Sequence, residues 1–390
     1  MPGPDPAVAA VRRAVRAALA ALPAPARDAP LLVAWSGGAD STALLAAARD
    51  VAPGRVHVAV VDHGLQEGSA DRSAALVAAL GAQGVPAAVH TVTVEGPGGV
   101  EAAARRARHA ALRAARPHPC SAVLLGHTLD DQAETVLLGL GRGSGARSLA
   151  GMTAWDPPWL RPLLSLRRTD TRAACRAQDL PVWDDPHNAD PRFTRVRLRH
   201  EVLPLLEDVL GGGVATALAR TAAQLRDDGA ALDLAAAELL HRAARPDDGP
   251  QRATRRAGTQ DSPAGTRNSP GPDAELAGPD AELAGRDAEL AGELDVAVLD
   301  AAPAAVRRRA LRAWLAGHGV TGLTDRHLRA ADDLVGRWRG QGAVALPQRL
   351  ELIRGRGRLR LRTAAWPGAH QPPPSRQEDP PCTTGTSRPC

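Results

Sequence analysis

At 390 residues the chain is long for one domain, so two domains with linkers are expected, and 44% hydrophobic residues suffice for sizeable cores. One Phe and no Tyr mean those cores are built from Ala, Leu, Val and the seven Trp; every one of the 48 basic residues is Arg, and the net charge of +5 suits an anionic macromolecular partner. The four cysteines, Cys120, Cys175, Cys382 and Cys390, contain no C-x-x-C pair, so neither a zinc site nor a disulfide framework is indicated, and no apolar run approaches membrane-spanning length.

Residues 1–27 are Ala-rich, but Arg12, Arg13 and Arg16 interrupt the apolar stretch, so it reads as an amphipathic helix rather than a signal peptide. A cytoplasmic protein is expected. Leu31–Trp35 has the length of a short apolar strand. Ser36-Gly37-Gly38-Ala39-Asp40-Ser41 follows, and from Thr42 the composition favours helix. A strand, a glycine turn and a helix N-terminus bind phosphate: the glycines allow close backbone approach, and the first N–H groups point at the anion. Asp40 makes sense beside phosphates when a cation such as Mg²⁺ bridges them. The lysine of a Walker A loop is absent.

A β-branched strand, Val56–Val61, then ends at Asp62-His63-Gly64-Leu65, which reads equally as a site loop or as a polar strand end with a turn glycine. A helix over Ser69–Leu80, a strand over Ala87–Val94, a helix over Glu101–Arg116, a strand over Ala122–Leu125 and a helix over Asp130–Leu140 complete the alternation. Such a rhythm predicts a parallel sheet covered by helices on both faces, with the chemistry at the carboxyl ends of its strands, after Trp35, Val61, Val94 and Leu125.

The loop after Leu125 reads Gly126-His127-Thr128-Leu129-Asp130-Asp131-Gln132-Ala133-Glu134-Thr135. A helix N-cap explains one or two acids there, but not three acids, a His and a Gln within eight residues. Asp131 and Glu134, at i and i+3, share a helix face and suit either Mg²⁺ or a cationic substrate group. The glycine-rich Gly139–Gly145 with Arg142 at its centre is either a flexible connection or a loop that neutralises departing pyrophosphate. Arg192, Arg195, Arg197 and Arg199 fall within eight positions, and next to a nucleotide-activating site they read as a phosphate-contacting surface.

The loop at 36–41 resembles the SGGxDS signature of the PP-loop ATPases, which cleave ATP between the α and β phosphates. The resemblance extends in order through Val61-Asp62-His63-Gly64-Leu65, the EAAARRARH run from Glu101, GHTLDDQAET, GRGSGARSLAGM, Arg161-Pro162-Leu163-Leu164 and Trp183-Asp184-Asp185-Pro186-His187-Asn188. On these motifs residues 30–206 resemble the tRNA(Ile)-lysidine synthetases. The implied fold class is α/β: a parallel-sheet PP-loop ATPase (adenine nucleotide α-hydrolase-like) domain over 28–206, followed by a smaller, mainly helical tRNA- or substrate-binding domain over 207–366.

The implied reaction adenylates the C2 carbonyl oxygen of the wobble cytidine in a CAU anticodon, after which the ε-amine of free L-lysine displaces AMP. By the same resemblance Ser36, Gly37, Gly38, Ala39, Asp40 and Ser41, with Val61 and His63, bind ATP, while Asp40 and Asp131 hold Mg²⁺. Glu101, Arg105, His127, Asp130 and Glu134, with Arg142, line the pocket of cytidine and lysine. The partners are tRNA(Ile) and lysine, with no membrane; a homodimer is left open. Departures from the family pattern are Val196 in place of Asn, Gln66 in place of Arg and His109 in place of an aromatic residue.

Val214–Ala244 is strongly helical by composition. A low-complexity stretch at 245–292 carries three copies of a Pro/Arg-Asp-Ala-Glu-Leu-Ala-Gly heptad, whose glycines and prolines argue against a coiled coil and for disorder. Beyond it a basic helix over Ala304–Ala316, a helix over Asp325–Arg337 and a hairpin formed by Gly342–Leu346 and Leu350–Arg362 are expected, with Arg358, Arg360 and Arg362 alternating against Leu359 and Leu361. Residues 367–390 read as a disordered Pro-rich tail, and the further C-terminal domain of some members is expected to be absent.

Overall fold

The computed structural model describes residues 3, 5–64, 68–96, 99–143, 145–185, 190–244 and 292–364. Leu65, Gln66, Ser144, Pro186, His187 and Asn188, the low-complexity stretch apart from Gly292, and the tail at 367–390 therefore lie outside the described residues. Two compact units divide at Gly229.

The first unit runs α1 (Pro6–Ala20), α2 (Ala24–Asp28), β1 (Leu31–Ala34), α3 (Ala39–Val51), β2 (Val56–Asp62), α4 (Ser69–Gly81), β3 (Ala87–Thr91), α5 (Gly99–Ala114), β4 (Val123–Leu124) and α6 (Leu129–Gly141). It continues with α7 (Ala146–Leu149), β5 (Trp155–Asp156), β6 (Trp159–Leu160), α8 (Arg168–Ala177), α9 (Thr194–Arg197), a π-helical turn at Leu198–Val202, α10 (Leu203–Val209) and the start of α11 (Val214–Ala244). The strands are ordered β3-β2-β1-β4-β6-β5. All neighbours pair in parallel except β5, which is antiparallel to β6. The chain direction across the sheet reverses between β1 and β4, and open parallel sheets bind ligands at such a switch point.

The near-continuous apolar runs of β1, β2 and β4 are what a sheet buried on both faces requires. One core, containing Leu31, Val33, Leu44, Leu124, Leu160 and Leu163, lies on one side, and a second, built on Leu32, Leu112, Val123 and Trp159, on the other. Helix α1 adds Val8, Val11, Val15 and Leu19 to the first core; at period 3–4 these residues form one stripe, while Arg13 and Arg16 stay at its margin. The amphipathic helix expected before residue 28 is thus packed into the unit. Against the expected elements, β3 stops at Thr91, three residues short of Val94, and α8 was not foreseen.

The second unit contains the remainder of α11, β7 (Leu294–Asp295), α12 (Val296–Asp300), α13 (Ala304–Gly317), α14 (Asp325–Gly336), β8 (Val344–Leu346), β9 (Leu350–Gly355) and β10 (Arg358–Thr363). Its helices are joined by a four-stranded antiparallel sheet, β7-β10-β9-β8. The run Leu350–Arg362 is not one strand but two, reversing at Arg356-Gly357, where both residues take positive φ. Leu352, Leu359 and Leu361 face a core with Leu311, Leu315 and Leu334. On the outer face Arg358, Arg360 and Arg362 pair with Asp295, Glu293 and Glu351.

Candidate active site

The loop from Trp35 to Gly38 passes from β1 into α3, and local hydrogen bonds hold its shape. Ser41 Oγ accepts from the Ser36 amide at 3.2 Å and donates to the Gly38 carbonyl at 3.0 Å. Thr42 Oγ1 donates to the Gly37 carbonyl at 3.3 Å and accepts from the Trp35 indole at 3.0 Å. Gly37 has a φ of +81°, which an L side chain rarely adopts. Its carbonyl also accepts from the Trp183 amide at 3.0 Å, so the Trp-Asp-Asp segment braces the loop. Gly126 is required for packing: a Cβ there would stand 3.0 Å from the backbone of Asp40 and Ser41. The loops after β1 and β4 are therefore in direct contact, across the switch point.

Helix α6 starts at Thr128, whose amide and hydroxyl both donate to Asp131 Oδ2, at 2.8 and 2.9 Å. This capping box fixes one oxygen of Asp131 and leaves the other to face the site. Gln132 is buried and exchanges hydrogen bonds with the backbone of Met152, tying α6 to the segment after α7.

Four carboxylates, Asp40 from α3 and Asp130, Asp131 and Glu134 from α6, gather with arginines from α8 and the basic run. Arg168 Nη2 lies 2.7 Å from Asp131 Oδ1, and its Nε lies 3.2 Å from Asp40 Oδ2. Arg199 Nε lies 2.8 Å from Glu134 Oε1. Arg167 Nε approaches Asp130 at 3.3 Å, and Arg195 approaches Glu101 at 3.4 Å. Burial raises the Asp40 pKa despite Thr171 and Arg168, and burial likewise raises that of Glu134 despite Arg199. Burial alone would raise Asp131 too, but Arg168, with the Thr128 amide and Arg199, outweighs it and brings its pKa below the usual carboxylate value.

A group of basic side chains flanks the acids. Arg105, Arg108 and His109 extend from one face of α5, Arg161 follows β6, and His63 and His127 follow β2 and β4. Burial, reinforced by Arg105 and Arg195, pulls the Arg108 pKa down to about 10, and its Nε has no hydrogen-bond partner. Arg161 Nε and the Nδ1 atoms of His63 and His127 are also buried without partners. Burial holds His127 down at about 3, so its imidazole is neutral at physiological pH. Buried polar atoms left unpaired are costly, and a set of them beside the Ser-Gly turn is suited to an anionic ligand.

The structure thus brings Ser36 through Ser41, His127, Asp130, Asp131 and Glu134 to one place, with Glu101 and Arg105 on α5 reaching it through Arg195. Val61 and His63 end the neighbouring strand. Arg142 is not brought there: it is the exposed C-cap of α6, about 18 Å along the axis from the acidic end. The four arginines of the basic run do not form one outer face either. Arg192 and Arg197 are exposed and paired with Asp190 and Glu201, whereas Arg195 and Arg199 turn inward to Glu101 and Glu134. The π-helical turn widens the helix at Arg199, as such turns commonly do at functional positions. Sequence reasoning missed Arg168, Thr171 and Arg108; an Arg-Arg-Thr-Asp-Thr run resembles any solvated helix start.

The PP-loop domain family matches residues 11–206, and the TilS substrate binding domain matches residues 294–360. The tRNA(Ile)-lysidine synthase of Rhodococcus erythropolis is 51% identical over 364 residues, covering 91% of this chain and 96% of that protein. That of Nocardia farcinica is 51% identical over 341 residues, covering 85% and 92%. Among solved structures, a U34-tRNA thiolase from Methanococcus maripaludis aligns at 18% identity with a TM-score of 0.45, over 56% of this chain and 79% of that one.

Proposed function

The chain belongs to the tRNA(Ile)-lysidine synthase family, and we propose how its residues divide the work of that ATP-dependent ligation. The observation that carries the reading is the convergence of Asp40, Asp131 and Glu134 with His127, Arg168 and Arg199 behind the Ser-Gly turn. The turn and the first amides of α3 receive the ATP phosphates, as a helix N-terminus after a glycine turn does. Val61 and His63 lie beside the adenosine.

The donor set suits Mg²⁺, which takes one or two carboxylates and completes its shell with phosphate and water. Asp40 and Asp131 already share one cation, the Arg168 guanidinium, so both reach a common point. When bound, Mg²⁺ neutralises phosphate charge and polarises the α-phosphorus.

The C2 carbonyl oxygen of the wobble cytidine attacks the α-phosphorus, and pyrophosphate leaves. The ε-amine of free lysine then adds at C2, the C2–O bond breaks, and AMP departs. The acids of α6 bind the incoming ammonium and take its proton, and Glu134, with its raised pKa, is suited to the second task. Arg108 and Arg161, whose buried Nε atoms have no partner, and His127, whose Nδ1 has none, face the negative charge of nucleotide and RNA. Arg192, Arg195, Arg197 and Arg199 contact tRNA phosphates, two from outside and two from the rim of the pocket. A cytoplasmic site of action follows from the substrate; among the described residues no single helix is long and apolar enough to cross a membrane.

The test incubates the protein with ATP, Mg²⁺, labelled lysine and a CAU-anticodon tRNA(Ile) transcript, beside Asp40→Ala. Lysine-dependent labelling of RNA that vanishes in the variant is expected. AMP formation without label in RNA would overturn the lysine assignment.

A further inference from the structure

Three carboxylates from two different helices converge on a single side chain of a third. The Arg168 guanidinium places Nη2 2.7 Å from Asp131 Oδ1, Nε 3.2 Å from Asp40 Oδ2 and Nη1 3.7 Å from Glu134 Oε1. The Arg168 amide donates to Asp130 Oδ2 at 2.7 Å. One turn further along α8, the fully buried Thr171 donates its hydroxyl to Asp40 Oδ1. The first turn of α8 therefore ties the start of α3 to the start of α6.

The oxygens of Asp40 and Asp131 are not equally held. Asp131 Oδ2 is fixed by the Thr128 amide and hydroxyl, and Asp40 Oδ1 is fixed by Thr171. The other two, Asp131 Oδ1 and Asp40 Oδ2, face Arg168, whose stem is long and flexible; Arg199 Nη2 lies 3.4 Å from the first of them. These are the two oxygens a divalent cation would take, and a guanidinium and a metal ion cannot share the same lone pairs.

We infer that Arg168 is a positioning residue that holds Asp40, Asp131 and Glu134 together in place of a divalent cation, and that it releases Asp40 Oδ2 and Asp131 Oδ1 when Mg²⁺ and ATP enter. Without it, three carboxylates at this spacing repel one another and spread apart. With it, the acids are arranged before substrate arrives, and the displaced guanidinium faces the incoming phosphates. The inference rests on the reading of Asp40 and Asp131 as metal ligands.

The experiment measures Mn²⁺ binding to the ATP-free full-length chain by electron paramagnetic resonance of the free ion, with circular dichroism as a check of folding. Removal of a competing cation from the site should tighten Mn²⁺ binding about tenfold in Arg168→Ala. Turnover of that variant at saturating Mg²⁺ should fall, because the acids are no longer arranged. Arg168→Lys keeps a charge without the planar fork; it should bind Mn²⁺ about threefold more tightly than wild type, and it carries the test if the alanine variant does not fold. Mn²⁺ affinity equal to or weaker than wild type in the folded variants overturns the inference. Asp40→Asn added to Arg168→Ala separates the two readings. If the double variant binds Mn²⁺ as well as Arg168→Ala does, the assignment of Asp40 to the metal has failed; if it binds worse while Arg168→Ala alone gains nothing, only the role of Arg168 has failed.

Discussion

Arg168 in the first unit and Arg307 in the second are both withdrawn from water and both bound to carboxylates, yet their surroundings differ. Arg307 Nε lies 2.5 Å from Asp332 Oδ1, and Arg307 Nη1 donates to the Ala302 carbonyl at 3.2 Å. The other Asp332 oxygen lies 3.4 Å from Arg308. Gly336 leaves room for the guanidinium, since a Cβ there would stand 2.5 Å from Nη2. Each partner is enclosed, and the pair joins α13 to α14. Arg168 is instead divided among three acids, two of which have raised pKa values. An ion pair with matched partners fixes a fold, whereas one with surplus partners leaves charges that a ligand can take over.

The contrast is broken most severely at Glu134. Glu134→Gln keeps the shape of the side chain but removes its charge, so kcat/KM for lysine should fall by about 10² to 10⁴, with little change in the melting temperature. Steady-state kinetics with varied lysine, together with a thermal melt, check both halves. Asp332→Ala should do the opposite. Arg307 would keep only Asp300 at 3.7 Å and the Ala302 carbonyl at 3.2 Å, and the loss of its closest buried partner should cost about 3 kcal/mol in stability, readable by urea unfolding, while turnover of the folded protein stays near wild type.

Gly126→Ala lies between these cases. The added methyl meets the backbone of Asp40 and Ser41, should cost about 1–3 kcal/mol, and should raise the KM for ATP more than it lowers kcat. His127 sharpens the comparison through pH. Its folded pKa of about 3 lies below the ordinary 6.5, so its contribution to stability is complete above pH 6.5 and is lost as pH falls toward 3. Asp40 and Glu134, whose values are raised, act in the opposite sense, but wild type and His127→Asn share them. The wild-type protein should therefore lose up to about 1.4 kcal/mol more per pH unit below 6.5 than the variant.

The smallest effect is expected at Glu207, which caps α11 by accepting from the amides of Val214 and Ala215 at 2.9 and 3.1 Å. Glu207→Ala should cost about 1 kcal/mol of stability and leave catalysis unchanged.

What was legible in the sequence was local. The strand, glycine turn and helix around residues 31–45 announce themselves because strand apolarity, turn glycines and helix composition change within a few positions. The acids of α6 stood out because a cap does not need three of them. Arg168 was not legible because its meaning lies in Asp40, 128 positions away in sequence, and in Thr171 bonding the same carboxylate. Arg142 misled for the converse reason: proximity along the chain suggested the pocket, but one helix length carries it to the far end. The reversal at Arg356-Gly357 had a signal, a glycine between two arginine–leucine runs, that the alternation of Arg and Leu obscured.

The pairing of every arginine in the basic run has a consequence for how RNA association should be measured. When a phosphate takes an arginine that solvent ions surround, condensed cations leave the nucleic acid, and affinity falls steeply with salt. Here Arg192, Arg195, Arg197 and Arg199 each already hold a carboxylate: Asp190, Glu101, Glu201 and Glu134. A phosphate arriving at any of them evicts an internal anion, which then gathers cations of its own from solution. On the proposed reading of the basic run as an RNA-contacting surface, the net count of ions set free is smaller than the count of contacts made, and the slope of log affinity against log salt understates the number of phosphates held.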